Sequence, residues 1–304
     1  INDLPFPDFE LYLTRYPYKN RFRFEMYNSR GCPYQCAFCA TNYGFRTHSF
    51  TKFKENFEKL MKIVEHYNNK LPKIGFSDQS FNRVLIQEKI LDYIIEEKLN
   101  ENFFFSCQSR VETISNHPGL IKNFRESNMI VGLGFETANS LLLKEMHKTM
   151  NPKHYLKMAK FILAQYRENS GIHCRFNVLC GFPGENEKSF RETIDFIEKY
   201  ALHENVQISP TLFSNYPNGY VYDNMKYYER KYGTKFRKEW WKTSVNPLKG
   251  AVPEKSSNNY PKKHLLFDYK ENYSKIINRS RINSFAEIIT WKRFYNKWYK
   301  ELEN

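Results

Sequence analysis

The sequence predicts an α/β protein of six strand–helix units on a parallel sheet, followed by an added C-terminal helical region. Three observations carry this. From about residue 22 to residue 212 the apolar positions switch repeatedly between a period of two and a period near 3.6. Strand alternates with helix throughout, the order that right-handed crossovers join into a parallel sheet. After Tyr216 the rhythm stops, and the remainder is rich in Tyr, Trp, Lys and Arg.

Residues 1–20 are punctuated by Pro5, Pro7 and Pro17 and read as an extended lead-in. Phe22, Phe24 and Met26 alternate with polar neighbours, the pattern of a first strand. Phe53, Phe57, Leu60, Met61 and Val64 place a helix over 52–67, and KIGFS from Lys73 is the second strand. A helix over 85–99 leads to the third strand, FFFSC from Phe103; a short helix over 118–127 leads to the fourth, MIVGLGFE. Helices over 140–148 and 153–168 precede HCRFNVLCG from His173. A helix over 187–201 precedes the sixth strand, NVQISPTLF from Asn205. The tail is expected to include a long helix over 284–302, with Phe285, Ile288, Ile289, Phe294, Trp298 and Leu302 on one face. The expected divisions are therefore a lead-in over 1–20, a core over 21–215 and a helical region over 216–304. Six such units satisfy either a closed or partial barrel or an open doubly wound sheet. The barrel puts its active site at the C-terminal ends of the strands.

Composition narrows the class. The chain has 304 residues with 26 Phe, 22 Tyr and 4 Trp, far from the aromatic-poor signature of disorder. No apolar run approaches 18 residues, so no membrane span is expected. No secretory leader is visible at INDLPFPDFE, and the absence of an initiator Met reads as a trimmed chain or the later part of a longer protein. The formal charge of +14 has two readings: a polyanionic partner such as nucleic acid, or a general Lys-rich bias, since the lysines are dispersed.

Of the six cysteines, Cys32, Cys36 and Cys39 crowd into the stretch SRGCPYQCAFCATNYGFR, directly after the first strand. Clustered cysteines without a leader point to metal in a reducing, cytoplasmic compartment. Three thiolates on one loop hold three corners of a [4Fe–4S] cluster and leave the fourth iron open, as a catalytic rather than structural site does. Zinc is the alternative, with His48 the nearest fourth ligand in the sequence. Arg30 and Arg46 flank the loop and offset its negative charge, whereas Cys107, Cys174 and Cys180 read as core thiols.

The spacing C-x-x-x-C-x-x-C after a first strand, with Phe38 before the third cysteine, resembles the radical S-adenosylmethionine (radical SAM) superfamily. The resemblance covers residues 22 to about 212. It implies a partial (βα)6 TIM-like barrel, a [4Fe–4S] cluster on Cys32, Cys36 and Cys39, and S-adenosylmethionine (SAM) on the open iron. It also implies reductive cleavage to a 5′-deoxyadenosyl radical that takes hydrogen from a substrate. Carried over residue by residue, Ser77 and Asp78 of GFSDQSFN stand where many members have Gly-Gly-Glu facing the SAM amino group. Glu136, ending the fourth strand, stands at the ribose-binding position. Arg110 and Arg175 are candidates to clamp the SAM carboxylate, Arg110 preferred. Val178 and Leu179, before the Gly-Phe-Pro-Gly-Glu turn, stand where apolar residues pack near adenine.

The lead-in INDLPFPDFELY, SDQSF and GFPGE resemble the branch that also uses cobalamin, whose members methylate or rearrange small-molecule or natural-product substrates. No D-x-H-x-x-G motif for ligating cobalamin is present, so a corrinoid domain is expected outside these residues if one is used. The implied electron donor is of the flavodoxin or ferredoxin kind. The competing readings are a tRNA methylthiotransferase-like enzyme and a non-catalytic iron–sulfur or zinc module. The tail, with Trp240, Trp241, Trp291 and Trp298, is expected to cap the barrel.

Overall fold

In the computed structural model, residues 2–11, 23–41, 43–67, 73–81, 84–168, 174–237 and 252–279 are described. Phe22, the expected helix over 284–302 and all four tryptophans named above lie outside them. The six main strands hydrogen-bond in sequence order in one parallel sheet, so each strand neighbours the next. The chain divides into two compact units: residues 1–33, 43–133 and 169–174, and residues 34–42, 134–168 and 175–304.

The first unit opens with β1 (Arg23–Met26), which pairs in parallel with β2 (Lys73–Phe76), itself paired with β3 (Phe104–Arg110). Helix α1 (Phe50–Tyr67) precedes β2, and α2 (Val84–Glu96) follows it. In α1, Phe53, Phe57, Leu60 and Val64 recur every three or four residues and are buried. They meet an aromatic core: Phe53 lies 5.9 Å from Phe76, Phe57 6.3 Å from Phe105, and Phe76 5.4 Å from Phe81. Helix α2 ends at Glu96, three residues before the expected end, because Lys98 adopts a left-handed conformation (φ 53°) that no helix continues through. After β3 the chain forms α3 (Val111–Asn116), too short for its periodicity to show in sequence, and then α4 (Gly119–Glu126). The strand β4 (Met129–Glu136) begins in this unit.

The second unit takes the end of β4, then α5 (Ser140–Glu145) and α6 (Pro152–Glu168). The Asn139 side chain caps α5 by accepting from Leu142 N at 2.9 Å, and Asn151 caps α6 through His154 N at 3.1 Å. Strand β5 (Cys174–Cys180) leads to α7 (Glu187–Phe196), which starts with a reciprocal Asn186–Ser189 capping box and runs into a π-helical turn over 197–201. Strand β6 (Val206–Leu212) follows. Phe135 stacks on Phe176 at 4.4 Å and on Phe196 at 4.8 Å.

Beyond Tyr216 come α8 (Tyr220–Asp223), α9 (Met225–Tyr232) and α10 (Lys262–Arg279). The sequence predicts a helical tail, but the described part of it is not wholly helical. Lys255–Ser257 and Tyr260–Pro261 pair as a short hairpin, with the turn-forming Asn258-Asn259 at its corner. Among the described residues no helix is long and apolar enough to cross a membrane.

The turn after β5 buries Glu185, whose carboxylate accepts from Gly181 N. Burial pushes its carboxyl up to about 8, against an ordinary 4.5. The native state therefore holds a proton that the unfolded chain releases first, and stability falls as pH rises from about 4.5 through 8. Denaturant unfolding of a Glu185→Gln variant across that range is expected to lose this slope; an unchanged slope refutes the assignment.

Candidate functional site

The loop bearing the cysteines leaves β1 through Asn28 and Ser29, and both are held by Asp78 at the end of β2. Asp78 accepts from Asn28 N at 3.2 Å and from the Ser29 hydroxyl. It is buried, which pushes its carboxyl up to about 6. Ser77 donates its hydroxyl to Glu25 and its N–H to Met26 O at 2.8 Å. In the first unit, then, Ser77 and Asp78 brace the exit of β1 with their own side chains. Next, Ser29–Arg30 pairs with Arg46–Thr47 in a short antiparallel ribbon. Gly31 follows at φ +75°, and a Cβ there would stand 2.4 Å from Tyr43 O and 2.5 Å from Gly44 O. Only glycine passes this point on the way to Cys32.

Residues 34–42 belong to the second unit, where the backbone of Ala37 is pinned on both sides. Ala37 N donates to Met146 O at 2.9 Å, and Ala37 O accepts from Val221 N at 3.2 Å. Ala37, Leu142, Met146, Leu179, Phe182, Phe213, Val221 and Tyr228 form one buried cluster, with Phe38 packed against it. On this base Cys36 and Cys39 line an open cleft of about 190 Å³ with Tyr34, Gln35, Thr41, His147, Tyr220 and Asp223. The first residues of the tail, the region expected to cap the barrel, thus supply Tyr220 and Asp223 to the cleft.

Glu136 lies at the end of β4, buried, with φ +76°. A non-glycine residue in this region is strained by roughly 1–3 kcal/mol and persists only where its surroundings over-determine it. Here Tyr155 donates its hydroxyl to the carbonyls of Gly134 and Phe135, each at 3.0 Å, and Lys148 donates to Glu136 Oε1 at 3.1 Å. The Lys148 ammonium also lies 5.8 Å from the centre of the Phe38 ring. One buried lysine therefore ties the carboxylate at the β4 terminus to the aromatic of the cysteine loop. Sequence reasoning missed it, since a single lysine in the turn after α5 carries no motif; only the fold sets it beside Glu136.

Each arginine candidate has a side-chain partner in the structure. Arg110 donates to Glu112 Oε1 at 2.8 Å within the first unit. Arg175 donates to Gln207 at 3.3 Å within the second.

The donor chemistry fits an iron–sulfur cluster. None of the six cysteines is in a disulfide; Cys32, Cys36 and Cys39 are half-buried, and the other three are buried. Burial pushes the Cys107 and Cys180 thiols well up, which disfavours the thiolate that binds metal. Among the described residues no three His, Cys, Asp or Glu side chains, those of the loop cysteines included, stand gathered around one metal-ion position. His48 is buried in the first unit, its Nδ1 without a hydrogen-bond partner, and its pKa is lowered first by that burial.

Residues 26–197 match the family model of the Radical SAM superfamily. An uncharacterized methyltransferase of Pyrococcus horikoshii is 25% identical over 206 residues, covering 66% of this chain and 42% of that protein. The tRNA-2-methylthio-N(6)-dimethylallyladenosine synthase of Clostridium perfringens is 23% identical over 178 residues, covering 56% of this chain and 38% of that protein. The chain thus spans about two-fifths of the length of these curated relatives. Among solved structures, the radical S-adenosylmethionine methyltransferase TsrM of Kitasatospora setae, with cobalamin and a [4Fe–4S] cluster bound, superposes with a TM-score of 0.55. That match has 14% identity and covers 67% of this chain and 39% of TsrM. The likeness shows the fold, a partial TIM-like barrel, and decides between the two architectures left open by the strand–helix rhythm.

Proposed function

Because this chain belongs to the radical SAM superfamily, we propose that it carries a [4Fe–4S] cluster on Cys32, Cys36 and Cys39 and uses it to cleave SAM. When bound and reduced, the cluster supplies the electron that splits SAM into methionine and a 5′-deoxyadenosyl radical, which takes hydrogen from a small-molecule substrate. The chain's own residues bind and orient. Glu136, set by Lys148, accepts the ribose hydroxyls. Leu179 and Phe38 offer an apolar wall to the adenine. Asp78 and Ser77 fix the start of the cysteine loop, and the SAM amino group meets backbone at the end of β2.

The observation that carries this reading is the pairing of half-buried, loop-borne cysteines with a strained carboxylate linked to the same loop through Lys148. The proposed branch is the cobalamin-using one, in keeping with the methyltransferase relative and the fold shared with TsrM. No side chain of these residues is assigned to a corrinoid. A second reading, modification of tRNA, is favoured by the +14 charge and by the Clostridium relative.

The reconstituted, reduced protein is expected to show the electron paramagnetic resonance signal of a [4Fe–4S]⁺ cluster, and the signal is expected to change on addition of SAM. A signal indifferent to saturating SAM counts against an open iron.

A further inference from the structure

The buried face of α1 carries one residue that breaks its apolar stripe. Asn56 stands three positions after Phe53 and four before Leu60, and is only 7% exposed. Its Oδ1 is shut off from solvent and has no hydrogen-bond partner among the described residues. The Nδ1 of His48 is in the same condition. That residue is 5% exposed and is fixed just before α1 by its backbone N–H, which donates to Asn28 O at 2.7 Å. Each such buried, unsatisfied polar atom destabilises the fold and asks for a reason. The two residues share one. Both line a cavity of about 50 Å³ in the first unit, several times the roughly 10–15 Å³ that a single water needs. Leu4, Pro5, Phe6 and Pro7 of the lead-in give it an apolar wall, and Glu25 and Arg30 complete its polar lining.

We propose that this cavity binds a small neutral ligand through a primary carboxamide group. A carboxamide offers two N–H donors and one carbonyl acceptor. Asn56 Oδ1 and His48 Nδ1 take the donors. The Arg30 guanidinium, 5.8 Å from the centre of the Tyr27 ring, donates to the carbonyl. Burial first, and then nearby positive charge including Lys52 and Arg30, lowers the His48 pKa. The imidazole is therefore neutral at pH 7, and one of its nitrogens accepts. The terminal torsions of Asn and His are broad, so both side chains turn toward a ligand without leaving their rotamers. The lead-in wall covers the hydrocarbon part of the molecule. A carboxylate fits less well, because it meets the Asn56 oxygen and the Glu25 carboxylate. An ammonium meets Arg30 and Lys52 instead. Glu25 itself accepts the Ser77 hydroxyl. The site does not depend on the cluster chemistry proposed above.

Propionamide, propionate and propylammonium share one shape and differ in charge, so they serve as the probes. Binding to the anaerobically reconstituted full chain is read by saturation-transfer NMR titration. Propionamide is expected to bind at least roughly tenfold more tightly than either ion. Asn56→Leu keeps the size of the side chain and removes its amide, and is expected to weaken propionamide binding at least roughly tenfold. Its denaturant midpoint is expected to stay level or rise, since a buried oxygen without a partner is gone. Should that variant not fold, His48→Phe replaces it and is judged by the same loss. Three results overturn the proposal: no binding of propionamide, which leaves a cavity for ordered water only; equal or tighter binding of propionate or propylammonium; and propionamide affinity unchanged in a folded variant.

Discussion

Replacing Cys32, Cys36 and Cys39 together by Ala is expected to abolish iron and sulfide binding, from about four of each per chain to near zero. The three buried cysteines cannot take over. Cys107 and Cys180 are held as thiols by burial, and the Cys180 Sγ is 3.7 Å from the Tyr273 hydroxyl inside the core. The variant is expected to remain folded, because the base of the loop in the second unit is Ala37, Leu142 and Met146 rather than any sulfur of the three. Iron and sulfide analysis with circular dichroism on the same sample separates the outcomes. Iron retained in the triple variant places the cluster elsewhere. A collapsed spectrum leads to the single Cys36→Ser variant, which is expected to lose the cluster with the fold intact.

Glu136→Gln is expected to weaken SAM binding by about 1.5–3 kcal/mol, roughly 10- to 150-fold, because two ribose hydroxyls lose a charged acceptor. Gln is chosen over Ala because its amide oxygen still accepts from Lys148, so the buried ammonium keeps a partner. The Lys148→Met variant is different. It strands a carboxylate that is only 8% exposed, and is expected to cost about 3–5 kcal/mol of stability as well as affinity. Equilibrium dialysis of SAM with denaturant unfolding of both variants reads the two effects apart. SAM affinity unchanged in Glu136→Gln makes the residue a structural ion pair and nothing more.

The strand–helix rhythm was legible because each strand and most helices bury one regular face; MIVGLGFE spans the whole of β4. What escaped were short or irregular pieces. Six residues of α3 complete too few turns to show a period, and the hairpin at 255–261 is built on Ser, Asn and Tyr rather than on apolar alternation. At the site, cysteine spacing is local and therefore readable. The roles of Asp78 and Lys148 are not, since each is set by a partner far along the chain: Asp78 by Asn28 and Ser29, Lys148 by Glu136 and Phe38. Of the two arginines that read as ligand clamps in the sequence, Arg175 meets Gln207, 32 residues on, whereas Arg110 meets Glu112, only two residues away.

The central claim, that this chain cleaves SAM reductively at a cluster on its three-cysteine loop, meets its most direct test in one assay. The anaerobically reconstituted chain is given dithionite and SAM, and 5′-deoxyadenosine and methionine are quantified. The account predicts that both appear together in equal amounts, and that neither appears with the triple Cys→Ala variant. A fully loaded wild-type protein that binds SAM yet releases no 5′-deoxyadenosine, or release that survives loss of the three cysteines, would contradict it.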